Sequence, residues 1–582
     1  MDSGIESRID SPSFFLAPGG KNNPAAEGEA TLEAFFRPSV VVDPDLQHPQ
    51  CAYAARYHWL KHELKFDPDR MPAQQCLRLE NWLSLVNPSG VTLVFAESYL
   101  NNPASMFGHT LLRIDSAANA PGTRLLDTSV GFAAETGEEY GFSYAFKGLF
   151  GGYQGRFTAG NYYEQVREYG DIENRDIWEY RLDLSVEETR FLLLHVWELQ
   201  NAYFDYYFFD ENCSSQLLAL LEVARPALEL MDGFSCWVLP ADTLRQVVQP
   251  EGVLRDVYYR PSRRKVMEER EQSLSTSNVQ TAIKLTDGRL SVNDEQVEAL
   301  TPVESAQVFE LAAGYLLYKQ VAETGSEDST DVNLMHILLA RSQLDVESSS
   351  LELPVPEVRP DQGHGSFRLH VGAGMEDGSL FCQAGFRPVL HDLFDPPGGY
   401  TQGAQIQFSA TKFRYYPDQE RFTLESIDLI DIFSAPHWSR LTLPVAWQAN
   451  ISAKRFRFDD NQRKLIPCAS VGFGLSSVVS PGLFSYAFFK TTLLVSDRFT
   501  DLTNLGIGPD LGLIFQANDI WTTGLKISGQ GYVIDEMKFS YDISLTQSVK
   551  LPNNSALRFE LGQGQDFSDP AWRFGISLMF YL

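Results

Sequence analysis

Lys538-Phe539-Ser540-Tyr541-Asp542-Ile543-Ser544-Leu545-Thr546-Gln547-Ser548-Val549-Lys550-Leu551 alternates apolar and polar side chains with one interruption, at Gln547. Successive side chains of a strand point to opposite faces, so this stretch offers one face to an apolar surrounding and the other to a polar one. The same alternation runs through Phe367, Leu369, Val371 and Ala373, through Leu441, Leu443, Val445, Trp447, Ala449 and Ile451, and through the final Phe574, Ile576, Leu578, Phe580 and Leu582. About twelve such segments fit between 366 and 582, and an even number of dyad-patterned strands is the signature of an outer-membrane β-barrel. A soluble β-sandwich also alternates. Strand length separates the two, because a membrane-crossing strand needs about 9–11 residues whereas globular strands average about 5–6. Several segments here are longer than globular strands, which predicts an all-β transmembrane barrel of about twelve antiparallel strands over 366–582.

Upstream, the chain divides by pattern. Residues 1–44 read as an irregular arm with a short helix near Glu29–Phe36, and 45–88 as a helical segment. Residues 89–250 read as an α+β domain, and 251–365 as a helical spacer ending in an acidic, Pro-rich linker with Pro354, Pro356 and Pro360. Within 89–250, β-branched and apolar runs at Val91–Ala96, Thr110–Ile114 and Arg124–Phe132 predict strands. Ser185 followed by Glu188 is a capping box that starts a helix. With 47 Lys+Arg against 76 Asp+Glu and a net charge of −29, the chain lacks the basic excess of a nucleic-acid binder. Six cysteines lie at irregular spacing, without a Cys-x-x-Cys pair and with ten scattered histidines, so neither a metal nor a cofactor is expected. Cys51 and Cys76 flank a helical stretch and are placed for a disulfide, which implies an oxidising compartment. No 18-residue apolar run predicts a transmembrane helix. The opening Met1-Asp2-Ser3-Gly4 lacks the charged-then-apolar pattern of a signal peptide, which implies one either removed or never present.

The chemistry concentrates at Tyr206-Tyr207-Phe208-Phe209-Asp210-Glu211-Asn212-Cys213-Ser214-Ser215-Gln216, where an aromatic run ends on a cysteine that opens an apolar helix. Free N–H groups and the positive end of the helix macrodipole favour a thiolate there. A base is available in Ser105-Met106-Phe107-Gly108-His109-Thr110, with Gly108 allowing close backbone approach to a neighbouring element. Cys213 and His109 are therefore the expected nucleophile and base. A third group should orient the imidazole. A hairpin centred near Ala120 puts Val130 opposite His109, which makes Ser129, Thr128 or Asp127 the candidates, with Ser129 carried forward. Asn212, Ser105, Asn101 and the Cys213 backbone N–H are candidates for the oxyanion or cleft. For other motifs the structural reading leads. The glycines of Gly148–Gly155 read as a mobile loop beside the cleft, Arg175 and Asp176 as a pair, and Trp178 and Tyr180 as core.

The segments Ala96–Ile114, Lys147–Phe157, Arg175–Leu182 and Phe208–Cys213 resemble the Lnb N-terminal periplasmic domain family. That family is similar to circularly permuted papain-like, NlpC-type enzymes, in which the histidine precedes the cysteine, as His109 precedes Cys213 here. The arm around Ser13–Lys21 resembles the larger members, which carry a C-terminal barrel; the resemblance implies an upstream segment with a signal peptide. It further implies transfer of a fatty acyl group through a cysteine. Lipoprotein N-acyltransferases of the family anchor through membrane helices, which this sequence lacks.

These readings converge on an outer-membrane protein of a Gram-negative cell with its catalytic domain in the periplasm. It would be a cysteine acyltransferase or hydrolase working through a thioester on lipid, lipoprotein or peptidoglycan bonds, with outer-membrane lipid as a partner and no nucleic acid. The alternatives are a non-enzymatic barrel whose periplasmic domain binds a partner, and a plugged channel.

Overall fold

The computed structural model describes the chain except residues 1–5, 39–46, 101–105, 138–141, 235–236, 325–331, 348–352, 460–461 and 535–537. It divides into two compact units, one of residues 1–269 and 291–353 and the other of 270–290 and 354–582. The stretch 251–365, read from sequence as one spacer, is shared between them.

The first unit is built on a seven-stranded antiparallel sheet: β1 Pro88–Ala96, β2 His109–Ser116, β3 Thr128–Ala134, β4 Tyr153–Asn161, β5 Ile177–Leu182, β6 Phe204–Tyr206 and β7 Leu254–Arg260, in the order β6-β4-β3-β2-β1-β5-β7. The central strands read as nearly continuous apolar runs because both their faces are covered. Leu93, Phe95, Leu112, Ile114 and Tyr180 belong to the large core that includes the helices Val186–Leu199 and Cys213–Ala224. Val94, Ala96, Leu111 and Ile177, on the opposite face, pack against Tyr162 and Tyr169. Ser185 and Glu188 form the expected capping box. Cys51 and Cys76 are joined in a disulfide. Trp178 and Tyr180 are core residues of β5.

One charge cluster runs through this sheet. Arg113 on β2, fully buried, pairs with Glu179 on β5 and Asp115, and Glu179 also accepts from the Tyr162 hydroxyl at 2.8 Å. Burial alone raises the Glu179 carboxyl, but the Arg113 and Arg260 guanidiniums and the Tyr162 hydrogen bond outweigh it and hold it below the usual range.

The second unit contains the barrel. Its strands are β8 Arg368–Glu376, β9 Ser379–Arg387, β10 Val389–His391, β11 Ala404–Tyr416, β12 Arg421–Ser434, β13 Ala446–Arg457, β14 Arg463–Ser480, β15 Leu483–Val495, β16 Thr503–Ala517, β17 Trp521–Tyr532, β18 Phe539–Leu551, β19 Ser555–Gln565 and β20 Ala571–Tyr581. Apart from β9 and β10, each pairs antiparallel with the next; β20 pairs back onto β8 and β9 pairs with β11, so twelve strands close the ring while the three-residue β10 continues β9 past Pro388 and pairs with β11. The ring strands are 9–18 residues long, the membrane-crossing length. Closure leaves no edge. The strand expected from Leu441 begins only at Ala446, because Ser439 to Thr442 form a hydrogen-bonded turn. Large apolar side chains such as Val371, Phe473, Phe489, Leu525 and Phe574 are exposed on the outside. Aromatics mark both rims, with Tyr415, Phe422, Phe539 and Trp572 exposed at one and Phe515, Trp521 and Phe580 at the other. Polar groups such as Lys454, Asp428 and Asn450 bond one another inside.

Replacing Glu179 by Ala leaves Arg113 buried without its main partner and should cost about 3–5 kcal/mol of the first unit's stability, measured by denaturant unfolding. Because the folded carboxyl is depressed, its contribution is present above the ordinary Glu range near pH 4.3 and is lost as the pH falls through the folded value. The Glu179→Gln protein should accordingly show a shallower acid limb than the parent; equal acid limbs would remove the carboxylate from the account.

Candidate active site

Cys213 is the first residue of its helix, and Asn212 is the reason the helix starts there. The Asn212 Oδ1 accepts from the backbone N–H groups of Ser214 and Ser215, and the Ser215 hydroxyl accepts from the Asn212 N–H, completing a capping box. The Asn212 Nδ2 donates to the carbonyls of Phe208 and Val238. The helix is thus capped by a side chain that is itself tied to the loops on either side.

The histidine arrives on β2. Ala96 on β1 pairs with His109, and Gly108 before it takes φ +91°, which L side chains rarely adopt; a Cβ there would lie 2.7 Å from the Phe95 ring. β3 pairs with β2 only from Leu112 to Ile114, so the start of β2 is open on that side. The Cys213 thiol occupies this opening. The Thr110 backbone N–H and the His109 side chain hydrogen-bond it, the Thr110 hydroxyl lies 3.9 Å away and the Ser214 hydroxyl 3.8 Å. Burial pushes the thiol up, but the His109 charge, its hydrogen bond and the Thr110 and Ser214 donors outweigh that and bring it from 9.0 down to about 6.

The His109 ring packs on Tyr169, 5.3 Å between centroids, and the charges of His109 and Glu168 interact. Both Glu168 and Tyr169 sit in a π-helical turn, Arg167–Ile172, a form that recurs at functional sites. On the other side the buried Tyr206 hydroxyl meets the Cys213 backbone N–H; burial and then the Cys213 charge push this phenol well above its usual range, so it stays a protonated donor beside the thiol. A cavity of about 260 Å3 follows the flank of the same helix, lined by Gln216, Leu220 and Val223 with Phe157, Leu199 and Phe204 from facing elements. The Gln216 Nε2 is buried there without a hydrogen-bond partner among the described residues.

Cys213 and His109 are therefore brought together, and other expectations are corrected. Ser129 lies opposite Arg113 and donates to the Gly160 carbonyl. The 3-10 turn Pro121–Leu126 moves the β2–β3 register relative to a hairpin centred on Ala120, leaving Ser129 four residues from His109 along the sheet, about 13 Å at strand rise. Asp127 accepts from Asn119 and the Ser116 N–H and sits 3.4 Å from Arg113, in the charge cluster. Asn212 has both its amide donors and its carbonyl committed to capping and tethering, so it holds the helix and has no donor left for an oxyanion. The Gly148–Gly155 stretch is the end of the helix Phe142–Phe150 and the start of β4, with Gly148 and Gly151 packed under the rings of Phe208 and Tyr207. Arg175 and Asp176 do not pair: Arg175 donates to the carbonyls of Ala96 and Glu97, and Asp176 accepts from Tyr259, Ser262 and Lys265. Asn101, Ser105 and Cys236 lie outside the described residues. Tyr206 and Tyr169 escaped the sequence reading because buried aromatics carry no periodic or spacing signal for a site; Glu168 did because a π-helical turn breaks the 3.6-residue period.

Among the described residues one further group could hold a metal: His364, His391 and Asp395, with ligand atoms within 4.8 Å of one another. Asp395 already accepts from Arg368, Arg387 and Arg558. A cation would meet three guanidiniums, and the donor set does not fit one.

Residues 78–250 match the family model described as the Lnb N-terminal periplasmic domain. Residues 1–63, 257–352 and 357–581 each match a model described as a domain of unknown function. No curated protein matches the chain. Solved structures similar to it include the KdgM porin in complex with disordered oligogalacturonate, at 7% identity and TM-score 0.24, covering 37% of this chain and 99% of that one. The NanC porin, at 10% and 0.24, covers 37% and 100%. An outer membrane channel from Pseudomonas putida F1, at 7% and 0.25, covers 41% and 100%. Likenesses at this level carry no conclusion about what this chain binds or conducts.

Iodoacetamide alkylation of Cys213 should rise with a midpoint near pH 6. Replacing His109 by Gln removes the largest favourable charge and should move the Cys213 midpoint upward. A midpoint unchanged in His109→Gln would separate the two residues.

Proposed function

We propose that this chain is a cell-envelope cysteine acyltransferase or hydrolase whose nucleophile is Cys213 and whose base is His109, held at the outer membrane by the barrel. The observation that carries the reading is a buried thiol brought down to about 6 by a histidine at a helix start, within a segment that matches the Lnb N-terminal periplasmic domain. The His-before-Cys order is that of a permuted papain-like domain. The apolar outer surface and aromatic rims of the twelve-stranded ring support placement in the outer membrane, with the preceding domain in the periplasm.

In this mechanism the thiolate attacks an acyl carbonyl and the carbon–oxygen or carbon–nitrogen bond to the leaving group breaks. The leaving group takes its proton from the His109 imidazolium, which leaves a thioester on Cys213. Water or an amine then attacks the thioester, giving its proton to His109 and freeing the thiolate. The Cys213 N–H is already given to the Tyr206 oxygen, which leaves the Tyr206 O–H as the donor on hand for the tetrahedral oxyanion. The largely apolar cavity along the helix that Cys213 opens, which Arg8 and His195 also line and neither Cys213 nor His109 does, supports a lipid-derived acyl group over a peptidoglycan peptide, with phospholipid or lipoprotein as donor.

Incubation of the detergent-solubilised protein with a phospholipid bearing an alkyne-tagged acyl chain should leave a hydroxylamine-sensitive tag on Cys213. The Cys213→Ser protein should carry none, and His109→Gln should lose on the order of a hundredfold or more in rate while melting at the same temperature. A lowered melting temperature with unchanged labelling in His109→Gln would instead make the histidine part of the core and favour a partner-binding domain.

A further inference from the structure

The barrel wall does not run straight from β9 to β11. After Pro388 the three residues of β10 stay paired to β11, with Leu390 buried at φ +67°, a left-handed conformation that a branched L-residue holds only where its surroundings enforce it, and the chain turns inward after His391. What enforces it here is Arg387, which donates to the Leu390 carbonyl. The four residues Asp392, Leu393, Phe394 and Asp395 that follow are all buried.

Their partners lie on both sides of the ring. Asp392 accepts from Arg368 on β8 and Arg558 on β19, and Asp395 from Arg387 on β9, from Arg558 and from the Tyr581 hydroxyl on β20. Leu393 and Phe394 point the other way, into a cluster with Phe433 on β12, Tyr486 and Phe488 on β15 and Ile514 on β16. The Gly398 N–H donates to Asp519 at 2.7 Å, in the turn between β16 and β17. In a twelve-strand ring ordered β8, β9, β11 to β20, the turn after β16 is about half a circuit from β9, so the segment crosses the mouth on a diameter. Its two ends are drawn together at the rim, where Tyr400 stacks on His391 and on His364, each with centroids 4.4 Å apart.

We propose that residues 392–403 are a plug that closes the barrel lumen at the end where β8 begins, locked by Asp392 and Asp395 on Arg368, Arg387 and Arg558, so that the barrel serves as an anchor and does not conduct. The lock is an ion cluster that only the inward conformation satisfies. Withdrawing the segment would leave three guanidiniums in the lumen without carboxylates, which makes closure specific to these residues.

The full-length protein, inserted into planar bilayers of phosphatidylcholine and phosphatidylglycerol in 1 M KCl and shown folded by faster migration of the unheated band, tests this. The wild type should give a silent trace. Asp392→Asn combined with Asp395→Asn breaks the lock, and Leu393→Gly combined with Phe394→Gly removes the apolar seat; each, folded by the same gel criterion, should raise open-channel events on the order of tenfold or more. Stepwise conductance by the folded wild type overturns the proposal, and so does a silent trace from both folded variants. If neither variant folds, uptake of a small sugar by wild-type proteoliposomes decides: swelling no faster than that of empty liposomes supports the plug, and faster swelling overturns it.

Discussion

The candidate site depends on one side chain that performs no chemistry. Asn212 spends its carbonyl on two N–H groups of the helix that Cys213 opens and its amide on the loops before and after. An uncapped helix start would expose those N–H groups to water and let the first turn fray, typically at a cost of about 1 kcal/mol. More is at stake than stability, because the thiol must meet the open start of β2 within hydrogen-bond distance. The charged form of a fully buried thiol is disfavoured, and a shift from 9.0 to about 6 means the surrounding donors overcome that by roughly 4 kcal/mol beyond the ordinary environment. Such donors act only at short range, so the cap that fixes the first turn is what lets them act.

How much of this was legible in the sequence follows from the range of the interactions. The Ser185 capping box, the Cys213 helix start, Gly108 before His109 and the alternation of the barrel strands are local patterns, and each appears in the structure where its pattern put it, apart from Leu441–Val445, which precede their strand. Sequence reading missed what depends on register and on long-range partners. A single 3-10 turn between β2 and β3 changes which residue faces which, and that displaced Ser129 from His109 to Arg113. Asn212 read as an oxyanion or cleft candidate, whereas the carbonyls of Phe208 and Val238 take its amide donors. Gly148 and Gly151 read as loop freedom, whereas their lack of a Cβ makes room for Phe208 and Tyr207 of the organising aromatic run.

Both units bury arginines, for different reasons. Around Arg113 the sheet is covered on both faces, so its charge needs Glu179, Asp115 and Asp127 within the same layer, and none of these can also serve His109. The carboxylate whose charge does interact with His109 is Glu168. The π-helical turn carrying Glu168 and Tyr169 supplies the side chains that remain at the histidine.

In the barrel the logic is inverted. Its outer surface is apolar, so the lumen is the one place where polar side chains of the strands can be satisfied. A wall that conducts can leave those groups to channel water. Here Arg368, Arg387 and Arg558 take their partners from the chain itself, two carboxylates carried inward by the segment that follows β10. Replacing water by fixed carboxylates is costly unless the geometry is held, because each buried ion pair gives up hydration that its Coulomb energy only partly restores. The cluster therefore contributes little net stability and a great deal of definition. It fixes where residues 392–403 lie, and a lumen defined in that way fits the proposed role of the barrel in attachment, with the proposed chemistry left to the domain that carries Cys213.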